Sequence, residues 1–275
     1  MKPQEYLDPR PKEYFDQFHE RVRAGLPGAS YRLVRLVLTI PMLLGFRYRA
    51  INLENVPSEG PVILAPNHFS NFDHFLVAVL LKREVQFMAK SQLFGPKPQT
   101  YIISHGGVFP VRRGHHDDEA FITAHTVLGR GGLVLMYVEG GRSRTKGLGT
   151  PKPGVGRLAL EAGVPVVPVA IEGSQHVRDA KRRLRLPKVT VQFGEPIGFP
   201  QVAEPSKEQS QQASEQVFER VRSMYQRLAS EGRKSVIDTE RDRPHSIAAL
   251  DSGSPSDLGR RSGEMETPPK PWRSS

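Results

Sequence analysis

The amino-acid sequence predicts an α/β fold. It should be a single domain with a central, mostly parallel or mixed sheet flanked by helices, preceded by an N-terminal amphipathic, membrane-associating helical segment. Three observations point there. Short apolar runs of strand character alternate with stretches whose apolar residues recur at helical spacing, which is the pattern of a layered α/β sheet. The 275 residues suffice for one core of roughly 200 residues with tails, and length alone does not force a second domain. The stretch 31–46, YRLVRLVLTIPMLLGF, is strongly apolar yet carries Arg32, Arg35 and Pro41.

From the start of the chain, residues 1–30 alternate charged and apolar positions, with no apolar run leading to a small-residue cleavage site, so a secretory signal is not expected. Residues 31–46 fall short of the roughly 20 apolar residues of a spanning helix and should not cross a bilayer unaided. With Arg47 and Arg49 behind them they suit a helix lying in the headgroup layer, and a core helix with exposed arginines fits the same pattern. Strands are expected over 49–53, 61–65, 85–89, 107–111, 133–138, 164–171 and 188–193, in apolar runs punctuated by Gly and Pro. Helices are expected over 72–82, 117–128, 156–161 and 206–229. The last places Val217, Phe218, Val221, Met224, Tyr225 and Leu228 on one face, which should pack on the domain and close it. Residues 231–275 hold few large apolar side chains and cannot offset their ordering entropy by burial, so a disordered tail is expected. The expected divisions are 1–48, a membrane-associating segment; 49–230, the α/β domain; and the tail.

Composition narrows the chemistry. With 39 Lys and Arg against 29 Asp and Glu, the formal net charge of +10 favours polyanionic partners: nucleic acid, an anionic bilayer surface or phosphorylated substrates. There is no cysteine, which excludes disulfides, thiolate nucleophiles and Cys-ligated metals. No Gly-x-Ser-x-Gly elbow is present, which disfavours a covalent acyl-serine route. A zinc site on His68, Asp73 and His74 lacks further ligands that can be placed, and no metal is expected.

Four blocks could carry chemistry. In the first, NHFSNFD at 67–73, His68 stands at a strand end and Asp73 in the first helical turn. Residues five apart diverge by about 140° on a continuous helix, but a loop before the first turn lets the carboxylate fold back onto the ring. A carboxylate on Nδ1–H fixes the tautomer and makes Nε2 a base toward a hydroxyl; a surface pair or helix cap is the plain alternative. The second block, GGVFPVRRG at 106–114, delivers Arg112 and Arg113 to a strand end, either as forked phosphate ligands or as a solvated basic edge. The third, VEGGRSRT at 138–145, runs a strand into a Gly-rich turn. Its amides, with Arg142 and Arg144, could cradle an anion, and Glu139 could hold one guanidinium; a loop or hairpin fits equally. The fourth, GVPVVPVAIEG at 163–173, is a strand interrupted by two prolines and reads as structural lining.

In this order and spacing the four blocks resemble the glycerolipid acyltransferase superfamily, most closely its bacterial 1-acylglycerol-3-phosphate type, over roughly residues 52–195. His68 and Asp73 occupy the family's His-x4-Asp motif with the matching Asn67 before it, and Arg113 falls on the closing arginine of the second motif. Tyr137 to Ser143 align with Phe-Pro-Glu-Gly-Thr-Arg-Ser, with Val138 in place of the proline and Gly141 in place of the threonine. The resemblance implies transfer of a fatty acyl group from acyl-CoA or acyl carrier protein to the free hydroxyl of lysophosphatidic acid, giving phosphatidic acid. It implies His68 as general base and Asp73 as its orienter. Asn67, Arg113, Glu139, Gly140, Gly141, Arg142, Ser143 and Lys152 would lie on the substrate side, with Arg113, Glu139 and Arg142 at the acceptor's phosphate. No cofactor beyond the acyl-CoA or carrier-protein co-substrate is expected. The implied setting is a cell membrane, peripheral or monotopic on the cytoplasmic side, against anionic lipid.

Other acceptors, a lysophospholipid with a larger head group or glycerol 3-phosphate itself, fit the same residues. A non-catalytic lipid-binding protein could share the fold, although an intact His68 and Asp73 argue against it. Net charge and the run HVRDAKRRLRLPK at 176–188 raise a nucleic-acid binder, but no groove-reading module or stacking platform accompanies them, and no nucleic-acid partner is expected.

Overall fold

The computed structural model describes residues 8–25, 27–95, 98–112, 117–143, 145, 147–177 and 183–242. Its strands are β1 (Arg49–Ile51), β2 (Val62–Pro66), β3 (Val85–Lys90), β4 (Val108–Val111), β5 (Leu133–Leu135), β6 (Val166–Glu172) and β7 (Thr190–Phe193). They form one sheet in the order β1-β7-β6-β2-β5-β3-β4, parallel throughout except between β6 and β7. The expected mixed α/β sheet is thus observed, with each expected strand in place.

The strand expected over 133–138 pairs only as far as Leu135, yet its continuation keeps contact with β2: Met136 and Val138 donate their N–H groups to Leu64 and Pro66 at 3.0 and 3.2 Å. That continuation carries the third block alongside the first. The proline at 168 is tolerated because it lies one residue past the last β6–β7 pair, Val169 with Phe193, and its carbonyl still accepts the Gly194 N–H at 2.8 Å.

Helices α1 (Glu13–Ala24), α2 (Ala29–Gly45), α3 (Asp73–Ala78), α4 (Pro98–His105), α5 (Asp118–Gly129), α6 (Gly154–Ala162) and α7 (Lys207–Arg241) cover the sheet. The period-two alternation of β2 sorts its side chains between two cores. Val62 and Leu64 pack with Tyr31 and Met42 of α2 and Leu76 of α3, while Ile63 and Ala65 pack with Ala124 of α5, Leu158 of α6 and Phe218 of α7. Each large side chain fully buried this way contributes about 1.5–3 kcal/mol.

Two expected divisions are corrected. Helix α1 buries Phe15, Phe18 and Val22 against the rest of the domain, so the N-terminal segment is not set apart from it, and the described residues up to Glu240 form one compact unit. Helix α2 keeps an outward apolar face, with Leu33, Leu36, Val37, Ile40 and Leu44 exposed. At the other end, α7 continues to Arg241 through a kink at Gly232 (φ 78°), because Val236 packs with Leu228, Ile51 and Ala170. The tail therefore does not begin at 231; residues 243–275 lie outside the described residues. Helix α4 carries no strong periodicity and was not expected from sequence.

Gly156 fixes the approach of α6 to α7. Its N–H donates to the Ser214 hydroxyl at 2.8 Å, and a Cβ there would run into the Ser210 carbonyl oxygen and the Ser214 amide nitrogen. Gly156→Ala should therefore cost about 1–3 kcal/mol through overpacking, lowering Tm by roughly 2–12 °C in thermal unfolding. An unchanged Tm would mean that α7 is not docked as described.

Candidate active site

The chain leaves the sheet at the C-terminal end of β2 and turns through six residues before α3 begins at Asp73. One oxygen of Asp73 organises that turn. Oδ2 accepts the backbone N–H groups of Phe69 and Ser70, both at 2.7 Å, and Nδ1–H of His68 at 2.9 Å. The carboxylate thus folds back over the loop, as the interrupted five-residue spacing requires. Asp73 is fully buried, whereas the His68 side chain is 13% exposed. With Nδ1 carrying the proton toward Asp73, the basic lone pair of the imidazole sits at Nε2.

Glu139 holds the main chain of the same residue. Its Oε1 accepts the His68 N–H at 3.0 Å and its Oε2 accepts the Gly149 N–H at 2.6 Å. Burial raises the Glu139 carboxyl, the His68 and Gly149 amides oppose that rise, and Asp73 adds to it. Glu139 thus holds loop main chain, one amide on each oxygen, and the expected grip on a guanidinium is not among the bonds that the described residues form. Asn67 likewise holds main chain: fully buried, it donates Nδ2–H to the Ile171 carbonyl at 3.0 Å and accepts the Ile171 N–H at 2.7 Å, which staples the loop to β6.

The remaining residues of the third block lie against the first. Gly140 turns the chain with φ 65°, and the Ser143 N–H donates to the His68 carbonyl at 2.7 Å. The Ser143 hydroxyl spans back to the Gly147 carbonyl at 2.6 Å. Between them Gly141 leads into the exposed Arg142. Lys152, also exposed, donates its N–H to the Val138 carbonyl at 2.9 Å, and its side-chain methylenes lie beside Gly140. Arg113 and Arg144 lie outside the described residues. Arg112 donates to the Arg10 carbonyl at 3.2 Å and stands over the Phe15 ring, packed in the fold instead of facing this loop.

Sequence reasoning missed Tyr137. Its ring stacks on His68 with centroids 3.7 Å apart and planes 12° apart. Burial, then the charge of Asp73, pushes its hydroxyl well above the usual phenol range. Its position two residues before Glu139 was the available signal. Among the described residues neither the Tyr137 hydroxyl nor Asp73 Oδ1, both buried, has a hydrogen-bond partner. His74, next to Asp73, instead lines an apolar cavity of about 90 Å³ between α2, α3 and α4, with Tyr31, Leu38, Phe75, Val79 and Ile103 among its walls.

Two predictions follow from these contacts. In Glu139→Gln one oxygen still accepts, but an NH₂ now confronts the other amide donor, and stability should fall by about 1–3 kcal/mol in urea unfolding. Wild-type stability in that variant would show that the buried carboxylate is dispensable. Separately, burial and then the neighbouring His68 hold His74 down to about 4, against the pull of Asp73, and burial then Arg23 hold His19 at about 4, opposed by Glu119 and supported by Lys12. Both protonate near 6.5 when unfolded, so their contribution is present above that pH and is lost as pH falls toward 4, by about 3 kcal/mol each at most. His74→Phe should make the stability loss between pH 7 and pH 4.5 smaller, and an unaltered slope would exclude His74 as a source.

Residues 47–172 match the protein-family model described as Acyltransferase. The chain is 32% identical over 165 residues to a probable 1-acyl-sn-glycerol-3-phosphate acyltransferase of Mycoplasma pneumoniae, covering 58% of this chain and 60% of that protein. It is 31% identical over 163 residues to the human 1-acyl-sn-glycerol-3-phosphate acyltransferase beta, covering 56% of each. A glycerol-3-phosphate acyltransferase of Aeromonas hydrophila matches at 28% over 173 residues, 54% of this chain and 21% of that one. The chain thus spans no more than about 60% of the length of these curated relatives. Its fold is shared with the crystal structure of the 1-acyl-sn-glycerophosphate acyltransferase of Thermotoga maritima, at TM-score 0.56 and 22% identity, over 79% of this chain and 89% of that one. The family match begins just before β1 and ends at the last residue of β6, and the joined His68 and Asp73 lie within it, so over this stretch the chain is similar to acyltransferases.

Proposed function

We propose that the chain transfers a fatty acyl group from acyl-CoA or acyl carrier protein to the free hydroxyl of 1-acylglycerol 3-phosphate, giving phosphatidic acid for phospholipid synthesis. The observation that carries this reading is the His68–Asp73 pair, held by backbone amides at a strand end, in a chain whose relatives at 32% and 31% identity are named for that reaction. In this reading Nε2 of His68 takes the acceptor hydroxyl's proton as its oxygen attacks the thioester carbonyl. The C–O bond forms, the tetrahedral intermediate collapses with cleavage of the C–S bond, and the proton passes from Nε2 to the departing thiolate. A thioester is already activated, so a base worth roughly 10²- to 10⁴-fold and a positioned hydroxyl do much of the work.

Arg142 and Lys152 are exposed beside the loop that packs on His68, which supports a role for both, with Arg113 and the amides of Gly140, Gly141 and Ser143, at the acceptor's phosphate. A remotely held phosphate turns its binding energy into alignment of the hydroxyl. The apolar cavity beginning at His74 supports a place for hydrocarbon next to the reacting groups. Peripheral attachment to the cytoplasmic side of an anionic membrane is part of the proposal. It rests on the exposed apolar face of α2 and on the net charge of +10; no helix among the described residues is long and apolar enough to cross a membrane.

Release of free CoA by the purified protein, with and without lysophosphatidic acid, tests the reaction. Release should require the acceptor and fall at least about 10²-fold in His68→Ala. A wild-type protein silent with both CoA and carrier-protein donors across several acceptors would remove the catalytic reading and leave lipid binding in its place.

A further inference from the structure

The connection between β6 and β7 and the junction between α2 and β1 carry basic and apolar residues that the reaction above does not use. Sheet register brings them to the edge that bears His68. Pro66 of β2 pairs with Val169, β6 runs on to Glu172, Glu172 pairs with Thr190, and Thr190 pairs with Arg49. Arg49 therefore stands on the side of the sheet from which His68 emerges, three strands across from β2 and so about 14 Å away.

Arg47, Arg49 and Arg233 meet there. Arg233 donates Nη1 to the Arg47 carbonyl at 2.6 Å, and Arg47 donates Nη2 to the Leu186 carbonyl at 2.9 Å. Burial lowers the Arg233 guanidinium, the charges of Arg49 and Arg47 lower it further, and Glu172 opposes them less strongly. Among the described residues none of the three arginines forms an ion pair with Asp or Glu. Arg47 also holds φ 42°, a left-handed conformation that Gly or Asn would adopt more easily. Guanidinium groups gathered without an ion-paired carboxylate repel one another, and a phosphate satisfies their forked donors.

Apolar side chains surround the cluster. Leu44, Leu184 and Leu186 are 74%, 56% and 51% exposed, and Leu186 lies against Gly45, which makes this patch continuous with the outward face of α2. Leucine on either side of Arg185 suits a boundary between hydrocarbon and phosphate, where a nucleic-acid surface would place stacking aromatics.

We propose that Arg47, Arg49 and Arg233, flanked by Leu44, Leu184 and Leu186, form a bilayer-docking site that binds the phosphates of anionic lipid headgroups and sets the His68 edge of the sheet against the membrane. This site rests on the membrane-surface reading above and names the residues that sense lipid charge.

Vesicle flotation of the full chain tests it, with phosphatidylcholine alone and with phosphatidylglycerol added. Wild type should prefer the anionic vesicles. The variant Arg47→Asn/Arg49→Gln/Arg233→Gln should lose about a hundredfold in partitioning, near fivefold per arginine, with Asn keeping the left-handed turn. Leu184→Ser/Leu186→Ser should weaken binding to both vesicle types. The arginine variant should keep wild-type turnover on a monomeric short-chain acceptor, and His68→Ala should float as wild type does, so a failed reaction and a failed docking site are told apart. If the triple variant does not fold, Arg49→Gln alone carries the test with an expected fivefold loss, since its side chain makes no hydrogen bond among the described residues. The proposal is overturned if a folded arginine variant floats with anionic vesicles as wild type does, or if the arginines prove to be needed for duplex DNA binding while vesicle binding is untouched.

Discussion

The Asp73 carboxylate oxygen that collects the amides of Phe69 and Ser70 and the ring N–H of His68 ties the loop after β2 into a single shape. Because the same oxygen bonds both the backbone of the turn and the imidazole, the ring cannot move without breaking the turn. Glu139 works from the opposite side by taking the main-chain N–H of His68. One residue is thereby held at its side chain by one carboxylate and at its backbone by another, which is the preorganisation that proton transfer to a positioned base requires. Burying two carboxylates this close is costly, and the charge-assisted bonds from loop amides offset that cost.

Local pattern made the strands legible, since their apolar runs are bounded by Gly and Pro, and the same pattern put His68 at a strand end. Strand order was not legible. Nothing local says that β7 inserts antiparallel between β6 and β1, because that arrangement is set by how the pieces cover one another. The backbone bonds of Asn67 and Glu139 were not legible for a related reason. Their partners, Ile171, His68 and Gly149, are backbone groups, and those of Ile171 and His68 lie 104 and 71 residues away in sequence. The end of α7 was misjudged because the polar run after Gly232 hides two buried residues: Val236, which clusters with Ile51 and Ala170, and Glu240, which accepts from Asn52 and Arg227.

Helix α2 illustrates an ambiguity that sequence periodicity holds by construction. An apolar stripe interrupted by arginines fits a core helix and an interfacial helix alike, and α2 is partly both. Tyr31 and Met42 enter the core, while Leu33, Leu36, Val37, Ile40 and Leu44 face outward. Arg35 donates to the Leu81 carbonyl at 2.9 Å and stands over the Tyr31 ring, which consumes one of the arginines that pattern alone would assign to headgroups. The side chains Tyr31, Val34, Arg35 and Leu38 also wall the apolar cavity, so the helix that presents hydrocarbon to the outside closes the cavity next to His74 on the inside.

Among the described residues, Tyr137 and Asp73 leave two buried polar atoms without partners beside His68, each costing about 1–3 kcal/mol. A fold removes such atoms where it can, and phenylalanine at 137 would keep the stack without the hydroxyl. Their retention is affordable because β2 and its neighbours bury Val62, Ile63, Leu64 and Ala65 completely, so the loop is anchored by a core that does not depend on local bonding. Geometry also restricts what the pair can do. A ring parallel to the imidazole at 3.7 Å offers its π face to any positive charge that develops on His68, while the unpartnered Asp73 Oδ1 adds negative charge to the same small volume.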